Sequence, residues 1–377
     1  MREEMYVTVD GKRLRCGYTT GTCAAAAARA AAGLLLSGEE PRSVRMAVPA
    51  GNVLEIPVED LRLEGGSASC SVRKDGGDDA DATHGLMVEA RVSLRPDGAI
   101  SVDGGEGVGR VTKGGLDQPV GSAAINSTPR RMIAEALEDA RRAAGSASGL
   151  EAVISVPGGA EASKRTFNSR LGIVGGISIL GTSGIVEPMS DAGLIGAIRA
   201  EMGVRLAEGR RILLLVPGNM GRDFSRGMGG DSEAVKCSNF IGEAIDCAAE
   251  KGAEGILVVG NLGKMVKVAG GVMNTHSRQG DCRMEIMCAA ALEAGASAEE
   301  ARRVLGCAST DDALDAMGPD LARRASGILM DKIAFHLRSR AGGMRAEAVV
   351  FSSKYGELGE TGGARGMIAE IERQARK

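Results

Sequence analysis

Residues 23–36 read CAAAAARAAAGLLL. Ala is the strongest helix former, so this stretch is expected as a helix. Thr19, Thr20 and Thr22 stand at its start and offer N-cap hydroxyls. Strands at 44–48 and 53–58 follow around Ala50-Gly51-Asn52, a hairpin signal. Strand-like runs continue at 68–73, 86–94 and 99–102, and Pro129 opens a second helix over 129–144. The segment Gly145-Ser146-Ala147-Ser148-Gly149 reads as a linker. Residues 1–145 are therefore expected to form an α+β domain.

From residue 146 to 377 the rhythm changes. Short apolar strands are expected at 151–156, 211–216, 255–259 and 347–352. Helical patterns lie near 190–207, 232–251, 283–294, 298–306 and 320–338. Strands alternating with helices imply βαβ crossovers and a mainly parallel sheet, an α/β domain. Three strands end in Gly-rich turns: Pro157-Gly158-Gly159, Pro217-Gly218-Asn219 and Gly260-Asn261-Leu262-Gly263. In open α/β sheets the ligand sits outside the carboxyl ends of the strands. One such turn is ordinary punctuation; three together point to a ligand crevice.

Composition excludes several classes. Aromatic residues make up 2% of the 377 and Trp is absent, so the core is aliphatic and stacking platforms for single-stranded nucleic acid are missing. A net charge of −3 gives no global basic field for nucleic acid or anionic lipid, so a polyanion must be held by local clusters of Lys and Arg. The start, MREEMYVTVDGKR, lacks the apolar stretch of a secretory signal, and apolar runs such as 212–216 are too short to span a membrane. Eight cysteines without a C-x-x-C pair read as reduced thiols of a cytoplasmic protein. Neither a GxGxxG fingerprint, a Walker P-loop nor a GxSxG elbow is present.

Five segments carry candidate chemistry. CGYTTGTC at 16–23 runs into the Ala-rich helix and is either a plain N-cap or an anion site made by Thr hydroxyls and free N–H groups. KDGGDDADATH at 74–84 is an acidic, Gly-rich loop. It reads as a solvated turn, a weak hard-cation site, or carboxylates facing a cationic, hydroxyl-rich ligand. VTKGGLDQPVGSAAINSTPRR at 111–131 and SKRTFNSR at 163–170 supply Lys113, Arg130 and Arg131, then Lys164, Arg165 and Arg170. GKMVKVAGGVMNTHSRQGDCR at 263–283 supplies Lys264, Lys267 and Arg278 beside His276. Each cation cluster alone is as well read as a solvated face. Of the three histidines, His336 lies late in a helix and suits the dipole there, whereas His84 and His276 lie in polar loops where proton transfer is credible.

These loops match a known pattern. The chain resembles the CbiD family, C-methyltransferases of the corrin ring in anaerobic cobalamin biosynthesis. The stretches that carry the likeness are GYTTGTCAAAAARAA at 17–31, KDGGDDADATHG at 74–85 and VTKGGLDQPVGSAAINSTPRRMI at 111–133. GGISILGTSGIVEPMS at 175–190, VPGNMGRDF at 216–224, CSNFIGEAID at 237–246 and GNLGKMVKVAGGVMNTHSRQGD at 260–281 complete it. They are colinear and span nearly the whole chain. Three places depart from the family pattern: Asn261 where His is common, Gly114 within VTKGGL, and Ser127-Thr128 within INSTPRR. Asn261 removes a titratable group.

The resemblance implies methyl transfer from S-adenosylmethionine to ring carbon 1 of cobalt-precorrin-5B, giving cobalt-precorrin-6A. Cobalt arrives with the substrate and no protein metal site is expected. The carboxylate-edged macrocycle calls for Lys113, Arg130, Lys164, Lys264 and Arg278, with Thr19, Thr20 and Thr22. The methyl donor is placed at Gly181, Thr182, Gly184, Gly218, Asn219 and Gly221. His84 and His276 are the candidate bases, with Asp78 or Asp79 orienting one of them. Partners beyond the corrinoid, a second copy or other cobalamin-pathway enzymes, are left open. Two other classes stand beside this reading: a phosphotransferase, told by ATP turnover, and a non-catalytic tetrapyrrole carrier, told by corrinoid binding without methyl loss from the donor.

Overall fold

Small side chains on every face make the first long helix an internal one. In a computed structural model that describes residues 5–228 and 234–375, the chain divides into two units, Met1–Ala192 and Gly193–Lys377. The first begins with a hairpin of β1 (Tyr6–Val9) and β2 (Lys12–Arg15), then β3 (Gly17–Tyr18) leads into α1 (Thr20–Ser37). Ala24 to Ala28 and Ala30 to Ala32 are all buried, because α1 packs on α2 (Ser127–Ala143) on one side and on a sheet on another. Gly38 ends α1 in the left-handed region, its N–H returning to Leu34 O.

The expected hairpin is present as β4 (Ser43–Ala47) and β5 (Val53–Pro57), paired antiparallel. The main sheet takes β6 (Glu59–Glu64), β7 (Ser67–Arg73), β8 (Met87–Arg95) and β9 (Ile100–Gly104). After β10 (Arg110–Val111) and α2 comes β11 (Gly149–Ser155), inserted between β8 and β9 in the order β6-β7-β8-β11-β9. α3 (Gly159–Ser163), α4 (Asn168–Leu171), β12 (Ile173–Val174) and β13 (Ile185–Val186) complete the unit. β12 pairs with β10 and β13 with β3.

This moves the expected boundary. The Gly-Ser segment at 145–149 is a turn into β11 rather than a domain linker. β11 runs antiparallel to β8 and parallel to β9, so the strand expected at 151–156 belongs to the first unit. The division falls at 192/193, not at 145/146.

The second unit opens with α5 (Asp191–Ala207), β14 (Ile212–Val216), α6 (Asn219–Gly227), β15 (Val235–Lys236), α7 (Ile241–Glu250) and β16 (Gly255–Asn261). It continues with α8 (Leu262–Ala269), α9 (Arg283–Glu293), α10 (Ala298–Leu305), α11 (Thr310–Met317) and α12 (Pro319–Ala341). β17 (Arg345–Ser352), β18 (Gly356–Glu360) and α13 (Ala364–Ala375) close it. The sheet order is β15-β14-β16-β17-β18, parallel except for β18.

Strand alternation splits the apolar residues between two cores. Leu213, Leu215, Ile256, Val258, Ala348 and Val350 face the side holding α5, α7 and α8 to α12. Ile212, Leu214, Val216, Leu257, Val259 and Phe351 face α6 and α13, where Phe224 stacks on Phe351 at 4.2 Å. A sheet covered on both faces reads as continuous apolar runs such as ILLLV.

Candidate functional site

In the first unit the helix start and the loop 180–184 form one construction. Thr19 caps α1 in extended backbone, its Oγ1 accepting the Thr22 N–H at 3.2 Å. Thr22 Oγ1 donates to Gly184 O at 2.7 Å. Thr20 Oγ1 accepts the Leu180 N–H at 2.9 Å and donates to Leu180 O at 3.2 Å. The Gly21 and Thr19 N–H groups add bonds to Leu180 O and Gly184 O.

All three threonines are buried, so these hydroxyls frame the loop. That is a different use from the substrate contact expected of them. Gly181 sits at φ 138°, and a Cβ there would lie 2.2 Å from Thr19 Oγ1. Only glycine allows this approach. Thr182 is the exposed tip of the loop. Two segments expected to serve different ligands are therefore brought together.

The acidic loop is fixed from below. Lys74 is 2% exposed, and its Nζ donates to Asp81 Oδ2 at 2.7 Å. Burial pushes the Asp81 carboxyl up, but Lys74 and Thr83 more than offset this, so its pKa falls. Asp75 receives a bidentate Arg15 guanidinium at 2.6 and 2.8 Å and the Gly77 N–H at 2.9 Å. The Arg15 bonds, foremost, hold its pKa at about 2.

Asp78 accepts the Arg15 N–H at 2.7 Å and Asp79 the Met189 N–H at 3.1 Å. The bond recorded for the exposed His84 ring is to neither: its Nδ1 accepts the Gly76 N–H at 3.0 Å. A backbone amide, rather than the expected aspartate, sets this ring. A neutral imidazole accepting at Nδ1 carries its proton on Nε2, which is then a donor.

Sequence reasoning missed the Lys74–Asp81 and Arg15–Asp75 pairs. The signal for the first was available, since Ala68, Cys70, Val72 and Lys74 fall at alternate positions and all are buried.

Three cations expected to clamp the substrate have other partners or settings. Arg130 donates from Nη1 to Val102 O at 2.7 Å, from Nε to Ile125 O at 2.8 Å and from Nη2 to Ala123 O at 3.1 Å. Burial lowers its pKa. This is a staple of the first unit's interior. Lys164 pairs with Glu161 at 2.5 Å on the surface of α3. The Lys113 stem lies where a Gly172 Cβ would be, 2.4 Å from its Cγ.

In the second unit, chain order and sheet order reverse between β14 and β16. β14 connects outward to β15, and β16 connects outward to β17 on the other side. This is the topological switch point at which α/β sheets bind ligands. The turns after these two strands hold Gly218, Asn219 and Asn261. The third Gly turn, 157–159, follows β11 and belongs to the other sheet.

Gly218 has open space where a Cβ would be, whereas Gly221 faces Val259 O, 2.6 Å from a would-be Cβ. Gly221 is thus accounted for by packing of α6 on β16. Asn261 caps α8, its Oδ1 accepting the Gly263 N–H at 2.9 Å. Asn261 thus performs a defined structural task at the start of α8.

Lys264 Nζ donates to Pro217 O at 3.0 Å and Ser238 O at 3.5 Å. Burial lowers its pKa, Cys237 opposes this, and Lys236 and Lys267 lower it further. Lys267 is buried on α8, and Lys236 ends β15. His276 follows in a loop, its Nδ1 accepting the Arg278 N–H at 3.1 Å. It carries the same tautomer as His84, with Nε2 as donor. Arg278 is exposed.

Among the described residues no group of three or more His, Cys, Asp or Glu is placed to hold a metal ion, and no helix is long and apolar enough to cross a membrane. A small crevice lies elsewhere in this unit, lined by Arg205, Arg210, Ile212 and Gln374 among others. It opens at the amino end of β14, away from the strand ends where the topology places ligands.

A family model described as CbiD matches residues 7–188, and one described as CbiD, C-terminal domain, matches residues 274–362. A curated protein of Ruminiclostridium cellulolyticum named cobalt-precorrin-5B C(1)-methyltransferase is 44% identical over 383 residues, covering 99% of this chain and 100% of its own length. One of Citrobacter koseri with the same name is 45% identical over 308 residues, 81% of this chain and 80% of its own. A crystal structure described as a cobalamin biosynthesis protein (cbiD) from Archaeoglobus fulgidus is 30% identical, covers 73% of this chain and 87% of that one, and superposes with a TM-score of 0.41.

Proposed function

The chain belongs to the CbiD family, and on that premise we propose that it is a cytoplasmic cobalt-precorrin-5B C(1)-methyltransferase of cobalamin biosynthesis that draws its methyl group from S-adenosylmethionine. The observation that carries this is likeness at 44% identity over 99% of the chain to a curated protein of that name. The product is cobalt-precorrin-6A.

When bound, S-adenosylmethionine supplies an electrophilic methyl group on a sulfonium. The methyl carbon leaves sulfur as it bonds to ring carbon 1, sulfur keeps the electron pair, and the substrate gives up one proton. The protein's task is to hold two ligands of opposite charge in line, a contribution on the order of 7–11 kcal/mol.

The donor carries a sulfonium, an ammonium, one carboxylate and ribose hydroxyls, with a net positive charge. Residues that fit it are Asp78 and Asp79. Each accepts a single recorded backbone N–H and so keeps acceptor capacity, while Asp75 and Asp81 are spent on Arg15 and Lys74. The loop 180–184, held rigid by the buried threonines, stands in the same unit and offers the exposed Thr182 hydroxyl. His84 and His276, each with Nδ1 occupied, act through Nε2–H as donors to ligand oxygens.

The test is mass spectrometry of purified protein with cobalt-precorrin-5B and S-adenosylmethionine. A corrinoid product heavier by one methylene supports the reading. Corrinoid binding without methyl gain would replace it with a carrier.

A further inference from the structure

Three lysines converge where the sheet of the second unit reverses direction. Lys264 reaches Pro217 O and Ser238 O, at 3.0 and 3.5 Å, and so stands in the gap between the ends of β14 and β16. Lys236 pairs with Val216, the last residue of β14, and its Nζ donates to Asn219 Oδ1 at 3.0 Å. Lys267 follows Lys264 on α8 and is 3% exposed. Among the described residues, the acceptors recorded for its Nζ are Thr275 O at 3.4 Å and Asp281 Oδ1 at 3.9 Å. Asp281 is already held by Arg283, at 2.5 and 2.8 Å.

Burying an ammonium with such long contacts is costly, and placing it near two more cations adds repulsion. Lys236 and Lys267 do act on Lys264 as like charges, and among the described residues no carboxylate is among the charges that act on it. The helices α6 and α8 both begin here, adding the partial positive charge of their amino ends. A bound anion would offset the burial and the repulsion and would interact favourably with the helix ends. S-adenosylmethionine, net cationic with one carboxylate against a sulfonium and an ammonium, gains far less from these interactions than a polycarboxylate does.

We propose that the carboxyl ends of β14, β15 and β16 form a carboxylate subsite, in which Lys236, Lys264 and Lys267 hold the acidic side chains at the edge of the corrin ring in preference to S-adenosylmethionine. The inference rests on the substrate class proposed above and reassigns Gly218 and Asn219 from the methyl donor to the corrinoid. Gly218, with open space beside it, lets the ring edge approach the backbone.

The experiment is a pair of titrations on the full chain. One uses cobyrinic acid, a stable corrinoid with free side-chain carboxylates, with its methyl ester as the uncharged control. The other uses S-adenosylmethionine. The variants are Lys264→Met, Lys267→Met and Lys236→Gln, the last on the surface and without risk to folding.

The wild type should bind the acid and not the ester, more weakly as salt rises. Each variant should lose about tenfold or more in affinity for the acid, as expected for one charge-assisted hydrogen bond, with donor affinity unchanged. If the wild type binds the acid and the variants bind it equally well, or lose the donor instead, the subsite is refuted while the activity stands. If the wild type does not distinguish acid from ester, the subsite is refuted. If it binds neither and transfers no methyl group, the functional reading falls with it.

Discussion

Replacing Arg130 by Ala separates a structural role from a substrate clamp. The guanidinium donates three hydrogen bonds to backbone carbonyls of the first unit, at 2.7, 2.8 and 3.1 Å. Ala123 and Ile125 are fully buried, so their carbonyls would lose a partner where water enters poorly. A hydrogen bond from a charged donor contributes about 1.5 kcal/mol at the lower end of its range. Three would give about 4.5 kcal/mol, which a discount for half-burial brings to about 3–4 kcal/mol.

In a unit of this size each kcal/mol moves the melting midpoint by about 2–4 °C, so the expected drop is roughly 6–16 °C. Differential scanning calorimetry is the suitable assay, because two units need not melt together. One transition should fall and the other should stay. Corrinoid affinity of the folded variant should remain within about twofold of wild type. A midpoint that does not move, together with lost corrinoid affinity, would refute this reasoning and restore Arg130 to the substrate.

Other outcomes follow from the same geometry. Asp75, with its pKa held at about 2 by Arg15, stabilises the fold above the ordinary carboxylate range. That contribution, about 1–2 kcal/mol after allowance for solvent, disappears as pH falls from about 4 to about 2; Asp75→Asn should flatten this limb of an acid-unfolding curve, and an unchanged limb would count against the pair. Gly181→Ala, at φ 138° and in collision with Thr19 Oγ1, should cost at least about 2 kcal/mol, read as a lower midpoint in urea; wild-type stability would show that the loop relaxes freely. His84→Ala and His276→Ala should each keep single-turnover rates within about tenfold of wild type, because their acceptor nitrogens are occupied; a loss of about a hundredfold or more, the mark of a general base, would overturn the tautomer assignment.

Local pattern carried much of the fold. The Ala-rich helix, the hairpin around Gly51 and the apolar strands β14, β16 and β17 all have periodicity or propensity strong enough to read directly. The boundary did not. Gly-Ser composition at 145–149 marks a turn, and nothing local tells a turn into a central strand from a linker between domains. β11 reaches its place through pairing with β8 and β9, a tertiary choice.

Two-residue strands such as β15 have no period to detect. The expected helix at 232–251 therefore concealed one, with 232–233 outside the described residues. α6 and α8 hid behind Gly-rich turns that are in fact helix starts.

At the site, residue types were legible and their employment was not. Thr19, Thr20, Thr22 and Arg130 were singled out for ligands, yet their polar atoms are used on the protein's own backbone. Sequence shows that a hydroxyl or guanidinium is present, and only the fold shows which carbonyl lies beside it. Conversely, Lys267 and Lys236 gain meaning from β14 and β16 lying side by side, which no spacing reveals.

The most direct test of the central claim uses S-adenosylmethionine labelled with carbon-13 in its methyl group, incubated with cobalt-precorrin-5B and the purified chain, followed by nuclear magnetic resonance of the corrinoid. The account predicts one labelled methyl group attached to ring carbon 1. Label at another ring carbon, or a bound corrinoid that gains no label, would contradict it.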